Sequence, residues 1–142
     1  FRSAFDLARP GVAWNEVHDA ATKVLAQGMI DLGLLQGSLD SVLESGSYKQ
    51  FYMHRTSHWL GLDVHDVGEY KVGDEWRKLE PGMVFTIEPG FYIRPAANVP
   101  KHFENIGVRI EDDVLITAVG HECLTALCPR SVAGIEAEMA GL

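Results

Sequence analysis

The segment that most constrains the fold is the apolar run at residues 83–93, which follows a turn formed by Pro81 and Gly82. This run is rich in β-branched and aromatic side chains, so it predicts one or two buried strands. Glu88 interrupts it in the sequence Thr-Ile-Glu-Pro-Gly. An ionised carboxylate in a buried strand costs several kcal/mol unless a partner neutralises its charge. Glu88 must therefore meet a cation or reach solvent in the folded chain.

A second carboxylate raises the same question in a later strand. Glu111 ends the predicted strand at residues 107–111, in the sequence Val-Arg-Ile-Glu-Asp. The simplest explanation is that Glu88 and Glu111 face solvent or pair with Arg109 or Lys78. Because Arg109 alternates with Glu111 along the strand, their side chains point to the same face, where Arg109 could orient a carboxylate. Two strand carboxylates beside a histidine cluster favour a shared chemical function.

That histidine cluster lies at residues 54–66, which contain His54, His58 and His65 together with two aspartates. Imidazole titrates near neutral pH and binds metals through an unprotonated ring nitrogen. A nitrogen of His58 with the two strand carboxylates is the ligand mixture expected for Mn²⁺, Co²⁺ or Zn²⁺ in a hydrolase, where the metal acidifies a bound water. The remaining histidines, His18, His102 and His121, receive no role, and His18 is expected on the polar side of its helix.

The first part of the chain is predicted to be helical. The tripeptide at residues 9–11, Arg-Pro-Gly, ends a first helix, Asn15 caps a second that Gly33 ends, and residues 38–44 form a short third helix. The inward face of the second helix is predicted to carry Val17, Ala21, Val24, Leu25 and Leu32.

The later part is predicted to consist of strands and one closing helix. Residues 68–78 and 94–103 are expected to be loops because they contain glycine, proline and polar residues. Asp112 and Asp113 are expected to form a tight hairpin turn. Ser131 caps a predicted helix that ends at residue 139. Helices followed by antiparallel strands, without a linker or an internal repeat, indicate one α+β unit.

Composition narrows the classes of function. The net charge of −8 in 142 residues argues against nucleic acid and anionic membranes as partners, since both require a basic surface. No apolar run approaches the roughly 20 residues of a transmembrane helix, and a signal peptide is not recognisable, so a cytoplasmic protein is expected. The two cysteines, Cys123 and Cys128, are too few for a disulfide framework or a zinc ribbon.

With these residues identified, the chain resembles the pita-bread metallopeptidases and, within them, the Xaa-Pro aminopeptidases. Three long motifs carry the resemblance: His-x-x-x-His-Trp-Leu-Gly-Leu-Asp-Val-His-Asp-Val-Gly-x-Tyr at residues 54–70, Leu-Glu-Pro-Gly-Met-Val-Phe-Thr-Ile-Glu-Pro-Gly-Phe-Tyr-Ile at 79–93, and Gly-Val-Arg-Ile-Glu-Asp-Asp-Val-Leu-Ile-Thr at 107–117. The resemblance implies an incomplete pita-bread (creatinase/aminopeptidase-like) fold, with helices packed on a curved antiparallel sheet. It also implies an enzyme that removes the N-terminal residue from peptides with proline in second position.

The resemblance implies a metal role for His58, Glu88 and Glu111, as ligands of a two-metal centre that usually holds Mn²⁺ and activates water for attack on the peptide carbonyl. Glu88 would also handle a proton of that water. His54 and His65 would bind substrate and stabilise the tetrahedral intermediate as hydrogen-bond donors.

Three further residues match positions around such a centre. Tyr92 and Arg109 correspond to positions thought to move protons, and Tyr92 shares a face with Glu88 if the strand continues through Pro89 and Gly90. Tyr70 corresponds to a wall of the proline pocket.

The resemblance also implies that the ligand set is incomplete. The family uses two further aspartates from an earlier strand hairpin, and Asp6 and Asp19 lie in helical sequence instead. Residues 1–142 are therefore expected to be the C-terminal portion of a catalytic domain whose upstream half and N-terminal domain are absent. Alone, the chain is expected to bind one ion weakly and to hydrolyse nothing measurable. The expected partners are the upstream part of the same protein and, through an exposed sheet edge, further copies in a homo-oligomer.

Two alternatives stay open. An Xaa-Pro dipeptidase (prolidase) shares the histidine and glutamate motifs, and its ending is similar to residues 128–137, although the short link between Glu88 and Glu111 favours the aminopeptidase. A pita-bread module that has lost catalysis would instead serve as a binding surface.

Overall fold

A computed structural model describes residues 1–141 and confirms the predicted α+β class. The helices are α1 Arg2–Phe5, α2 Trp14–Asp31, α3 Leu39–Ser45 and α4 Val132–Ala140. The strands are β1 Lys71–Val72, β2 Glu75–Trp76, β3 Val84–Ile87, β4 Gly90–Ile93, β5 Ile106–Arg109, β6 Asp112–Ile116 and β7 His121–Cys123, with short 3-10 turns at Ser47–Gln50 and Lys101–Phe103. None of the helices in the described range is long and apolar enough to cross a membrane.

Two antiparallel ladders organise the second half of the chain. Strand β3 pairs with β6, with Ile87 opposite Asp112, and β4 pairs with β5, with Gly90 opposite Arg109. Both ladders follow one common register, so they form a single long hairpin that is interrupted after Ile87. Strand β7 extends the first ladder along the other edge of β6.

The tight turn predicted at Asp112 and Asp113 is wrong, because both residues belong to β6. Asp112 is buried there, and its carboxylate accepts hydrogen bonds from Arg130 Nη1 at 2.5 Å and Thr125 Oγ1 at 2.6 Å. A partner 18 residues later in the chain therefore stabilises a buried aspartate at a position where local preference favours a turn.

The segment at residues 56–60 adds an irregular strand to the free edge of β3. Glu88 N donates to Thr56 O at 2.7 Å, and Thr86 N donates to His58 O at 3.0 Å. In an antiparallel pair with this register, His58 and Glu88 are diagonal neighbours on one face. The strand pairing thereby carries the histidine cluster to the first strand carboxylate.

Buried apolar side chains form two clusters, and α2 contributes to both. The first cluster joins α1 and the beginning of α2 to β3 and β6; it contains Ala4, Ala8, Trp14, Val17, Ala21, Trp59, Leu79, Phe85, Ile87, Val114 and Ile116. The second joins the end of α2 to α3 and β4; it contains Ala26, Met29, Leu34, Leu35, Val42, Phe51, Tyr52, Ile93 and Val99. Helix α2 is therefore the support on which the segment bearing the histidines packs.

The predicted inward face of α2 is partly wrong. Val24 and Leu32 are 52% and 48% exposed, whereas His18 lies on the buried face. The prediction that Asn15 caps the helix is also wrong: Ala13 precedes the helix, and its N–H donates to Glu16 Oε2 at 2.7 Å. The residues that α2 buries are Trp14, Val17, His18, Ala21, Thr22, Ala26 and Met29, so His18 lies within the buried stripe.

The other local predictions have mixed outcomes. Ser131 caps α4, as predicted, and the short helix predicted at residues 38–44 forms as α3, with Ser38 as its cap. Gly33 has the left-handed backbone expected just beyond a helix end. The loop predicted at residues 68–78 instead contains the β1–β2 hairpin, whose turn uses Gly73 at a φ of 62°.

Candidate functional site

The two strand carboxylates lie at the interruption between the ladders. The common register places Glu88 opposite Glu111, directly after Ile87 and before Pro89, which has no N–H to continue the pairing. Arg109 lies between the two carboxylates, with its Nε 3.9 Å from Glu88 and 3.6 Å from Glu111. One guanidinium thus offsets part of the repulsion between two facing negative charges.

His58 completes this group. Its Nδ1 lies 2.9 Å from the carbonyl oxygen of Trp59, and a carbonyl only accepts, so Nδ1 carries the hydrogen. The lone pair of Nε2 then faces Glu88 Oε1 at 3.1 Å. Thr86 Oγ1 accepts from His58 N at 3.2 Å and donates to Glu88 Oε1 at 3.3 Å. Fixing one ring nitrogen so that the other is free to coordinate is the usual arrangement around a metal-binding histidine.

The donor atoms fit a divalent metal ion. His58, Glu88 and Glu111 each offer one donor atom, and these atoms all lie within 4.8 Å of one another. His58 and Glu88 are only 13% and 12% exposed. One imidazole nitrogen with two carboxylates suits Mn²⁺, Co²⁺ or Zn²⁺, and a divalent cation would neutralise charges that Arg109 alone does not.

The carboxylate of Asp113 lies near these three donor residues and is surrounded by other negative charges. Burial raises the pKa of Asp113, and the charges of Glu111 and Asp112 raise that pKa further. The negative potential around Glu111 therefore extends along β6.

His54 forms a separate pair with Tyr92. Its Nδ1 lies 2.7 Å from the carbonyl oxygen of Arg55, so Nδ1 carries the hydrogen, and Nε2 accepts from the Tyr92 hydroxyl at 2.9 Å. Gly90 makes room for the tyrosine, since a Cβ there would lie 2.3 Å from the Tyr92 hydroxyl oxygen. His54 and Tyr92 are thus hydrogen-bonded to each other and not to the carboxylates.

An open cavity of about 660 Å³ joins most of the predicted site residues. Its lining includes His54, His58, His65, Tyr70, Glu88 and Arg109. The ring of His65 packs edge-on against that of His58, with 4.2 Å between centroids. Glu111 and Tyr92 adjoin this cavity through their contacts with Arg109 and His54.

The lining of the cavity also includes residues that the sequence patterns did not identify, among them Trp14, Trp76 and Arg55. The Trp14 ring packs edge-on against Tyr70, with 5.0 Å between centroids, so an aromatic wall faces the carboxylates. Trp76 lies in a segment that was predicted to be a loop. Arg55 lies between two predicted site histidines in the sequence, and that position was the signal that could have identified Arg55.

A buried polar network supports the histidine segment from behind. Thr56 N donates to His18 Nδ1 at 3.2 Å, so this nitrogen is an acceptor and His18 is neutral; Thr56 Oγ1 also contacts it at 2.9 Å. The Tyr52 hydroxyl bonds to Thr56, and Thr22 Oγ1 lies 3.4 Å from His18 Nε2. The prediction that His18 faces solvent is therefore wrong, because its partners come from a segment 38 residues away.

Burial sets the titration of this network. Burial, and then the nearby charges of Arg55, His54 and Lys49, lower the pKa of His18 to about 4. Burial also raises the pKa of Tyr52 to about 12, although its hydrogen bond to Thr56 opposes the shift. Both side chains therefore remain uncharged at neutral pH.

Comparisons with known proteins agree with this geometry. Residues 1–118 match the model of metallopeptidase family M24. The chain is 48% identical over 135 residues to the Xaa-Pro aminopeptidase of Haemophilus influenzae, covering 95% of this chain and 31% of the relative. It is 40% identical over 169 aligned positions to the Xaa-Pro dipeptidase of Rattus norvegicus, covering 99% of this chain and 34% of the relative.

The fold comparison gives the same result. The structure of Pseudomonas aeruginosa aminopeptidase PepP superposes with a TM-score of 0.95 at 55% sequence identity, covering 99% of this chain and 32% of that chain. The chain thus has the α+β pita-bread architecture of aminopeptidase P over this region, and it spans about a third of the length of the curated relatives it matches.

Proposed function

We propose, from the premise that the chain belongs to metallopeptidase family M24, that it carries part of the active site of a dinuclear metallo-aminopeptidase. Its substrates would be peptides with proline in second position, from which it would remove the N-terminal residue. The observation that carries this proposal is the convergence of His58, Glu88 and Glu111 beside a cavity lined by His54 and His65.

His58 Nε2 and the carboxylates of Glu88 and Glu111 would hold metal, and Mn²⁺ is the proposed ion, with Co²⁺ or Zn²⁺ as substitutes. When bound, the metal would supply the Lewis acidity that activates water for attack on the peptide carbonyl. Glu88 would accept a proton of that water. Arg109, which contacts both carboxylates, would hold them in place and balance their charge.

The substrate side of the cavity is assigned to the other histidines. His54 and His65 would hold the peptide and donate hydrogen bonds to the oxygen that becomes negative in the transition state. His54 must gain a proton at Nε2 to act as a donor there, and the Tyr92 hydroxyl at 2.9 Å would relay it, giving one proton to Nε2 as it takes another from water in the cavity. Tyr70, together with the Trp14 ring that packs against it, offers the apolar surface that a proline ring requires.

We propose further that residues 1–142 are the C-terminal portion of the catalytic domain. An upstream half would contribute two more carboxylates, because three donor atoms do not complete a two-metal site. The exposed edge strand β5, with Ile106 and Val108 at the surface, would support self-association.

Mn²⁺ titration by calorimetry, with assay of an Xaa-Pro tripeptide, tests this function on two proteins: residues 1–142, and a chain extended upstream to the length of the relatives. We expect one weak ion and no measurable hydrolysis for the first, and a tight second ion with hydrolysis for the second. Hydrolysis by residues 1–142 would show that the ligand assignment is wrong. If the extended protein showed neither a tight second ion nor hydrolysis, a binding module without catalysis would be favoured.

An Xaa-Pro dipeptidase is the second candidate, since the rat dipeptidase is 40% identical to this chain. That alignment spans 169 positions, more than the 142 residues of this chain, so the dipeptidase contains segments that this chain lacks. We therefore favour the aminopeptidase. Cleavage of Xaa-Pro dipeptides in preference to tripeptides by the extended protein would reverse that choice.

A further inference from the structure

Arg55 is held at the cavity by two contacts. Its Nη2 donates to Asn15 Oδ1, and its guanidinium carbon lies 5.0 Å from the ring centroid of Trp76. Asn15 is fixed in turn, since its Nδ2 donates to Asp19 Oδ2 at 2.6 Å. An exposed arginine usually samples many rotamers, so support from two sides restricts this guanidinium to one position.

The charge of Arg55 has no ionic partner in the described part of the chain. Arg109 and Arg130 each form ion pairs with carboxylates there, whereas the guanidinium of Arg55 has only the neutral oxygen of Asn15 and the face of an indole. A guanidinium has five N–H groups in a planar fork that matches a carboxylate. An unpaired guanidinium held at a cavity in a chain of net charge −8 is a site prepared for an anion.

Two lysines lie near this position. Lys71 Nζ lies 4.8 Å from the centroid of the same Trp76 ring. Arg55 also lines a second cavity, of about 320 Å³, together with Lys49. Asp19 is bonded to Asn15 and not to Arg55. The guanidinium of Arg55 and the carboxylate of Glu88 therefore line the same cavity with opposite charges.

We infer that Arg55 binds a carboxylate of the peptide substrate beyond its proline, and so sets a preference among Xaa-Pro peptides. This inference rests on the proposed function, because it requires a peptide whose first bond lies at His58 and Glu88. The aromatic wall at Tyr70 and Trp14 would hold the proline, and the chain beyond it would pass toward Arg55. Two groups of a substrate can provide this carboxylate: the C-terminus of a tripeptide, or the side chain of an acidic third residue in a longer peptide.

The test uses the upstream-extended protein with Mn²⁺ and four probes: Ala-Pro-Ala, Ala-Pro-Ala-amide, Ala-Pro-Asp-amide and Ala-Pro-Asn-amide. The first pair isolates the terminal carboxylate and the second pair isolates the acidic side chain. The readout is the ratio of kcat/KM within each pair, or the ratio of Kd by calorimetry if the protein binds peptides without cleaving them. The variants are Arg55→Gln, Arg55→Lys and, as a matched control on an exposed arginine outside the cavity, Arg94→Gln.

We expect a roughly tenfold preference for the charged probe in at least one pair, falling to about one in Arg55→Gln and kept in Arg94→Gln. Arg55→Lys keeps the charge without the fork, so an intermediate ratio is expected. Equal ratios in the parent and Arg55→Gln would overturn the inference, as would a parent that treats both probes of each pair alike. Binding without cleavage would refute the proposed function while the Kd ratios still decide the role of Arg55. A protein that neither binds nor cleaves the probes would refute both.

Discussion

The two sides of the segment at residues 52–58 carry similar polar side chains but differ in what those side chains bind. Behind it, Tyr52 and Thr56 contact His18 of α2 in a network in which the imidazole is buried and bonded through both nitrogens. In front of it, His54 and His58 face an open cavity. Hydroxyls and imidazoles occur on both sides, so residue type does not separate them. What separates them is that the network behind pairs its donors and acceptors with one another, whereas in front the unprotonated Nε2 of His58 faces a carboxylate oxygen of Glu88, so two acceptors meet.

The difference has an energetic consequence. The network behind the segment is uncharged and internally paired, so it contributes to folding stability. The front places Glu88 opposite Glu111 with one shared arginine, which costs stability until a cation neutralises the pair. We therefore expect substitutions in front to reduce function with little loss of stability, and substitutions behind to do the reverse.

The largest expected effect is that of Glu88→Gln. Under the proposed function this change would remove a metal donor and a proton acceptor, so turnover by the upstream-extended protein should fall about 1000-fold or more. The free energy of unfolding of metal-free residues 1–142 should change by less than about 1 kcal/mol, because a repulsion is relieved as an ion pair is lost. Steady-state kinetics and urea unfolding measure the two. A decrease of several kcal/mol in the free energy of unfolding would show that Glu88 has a structural role.

The pH dependence of stability isolates the network behind the segment. The folded pKa of His18, about 4, lies below the ordinary histidine pKa of 6.5, so the unfolded chain binds the proton more readily. The stability from the neutral imidazole is complete above pH 6.5 and is lost as pH falls from 6.5 toward 4. The expected loss is about 3 kcal/mol.

Urea unfolding of residues 1–142 at pH 7 and pH 4 measures this loss, with His18→Gln as the comparison. The substituted chain should lose about 3 kcal/mol less between the two pH values, because glutamine does not titrate. Parallel pH profiles for the two chains would mean that His18 is not the buried neutral imidazole described here.

The smallest expected effect is that of Tyr52→Phe. The change removes one buried hydroxyl and leaves Thr56 Oγ1 with His18 Nδ1 as its remaining partner, so the free energy of unfolding should fall by about 1 kcal/mol. Tyr48→Phe is the matched control, because Tyr48 is half-buried against the second apolar cluster and its hydroxyl forms no hydrogen bond within the described residues. Equal effects of the two substitutions in urea unfolding would show that the hydrogen bond of the Tyr52 hydroxyl does not contribute to stability.

Sequence patterns predicted the front better than the back. His58, Glu88 and Glu111 do lie together, and a carboxylate inside an apolar strand is anomalous within a few residues of sequence. Their role as metal ligands stays a prediction. The turn predicted at Asp112 failed because its stabilising partner, Arg130, is distant in sequence. Helical spacing alone did not show where α2 begins.

The rest of the cavity depended on contacts between distant elements. His18 looked like a surface residue because Thr56, which bonds it, belongs to a later segment. Arg55 and Trp76 come together only through the β1–β2 hairpin. That hairpin was not predicted, because its sequence is polar and contains glycine. Such sites depend on tertiary packing and leave no periodic pattern in the sequence.

Of the three histidines in residues 54–66, we assign only His58 to the metal, and His54 and His65 to the substrate. Calorimetric titration of Mn²⁺ into the upstream-extended protein and its three single His→Ala variants distinguishes these assignments. We predict that His58→Ala lowers metal affinity by about 100-fold or more, whereas the other two variants keep near-normal occupancy and lose turnover. Equal loss of metal in all three variants, or unchanged affinity in His58→Ala, would show that the assignment is wrong.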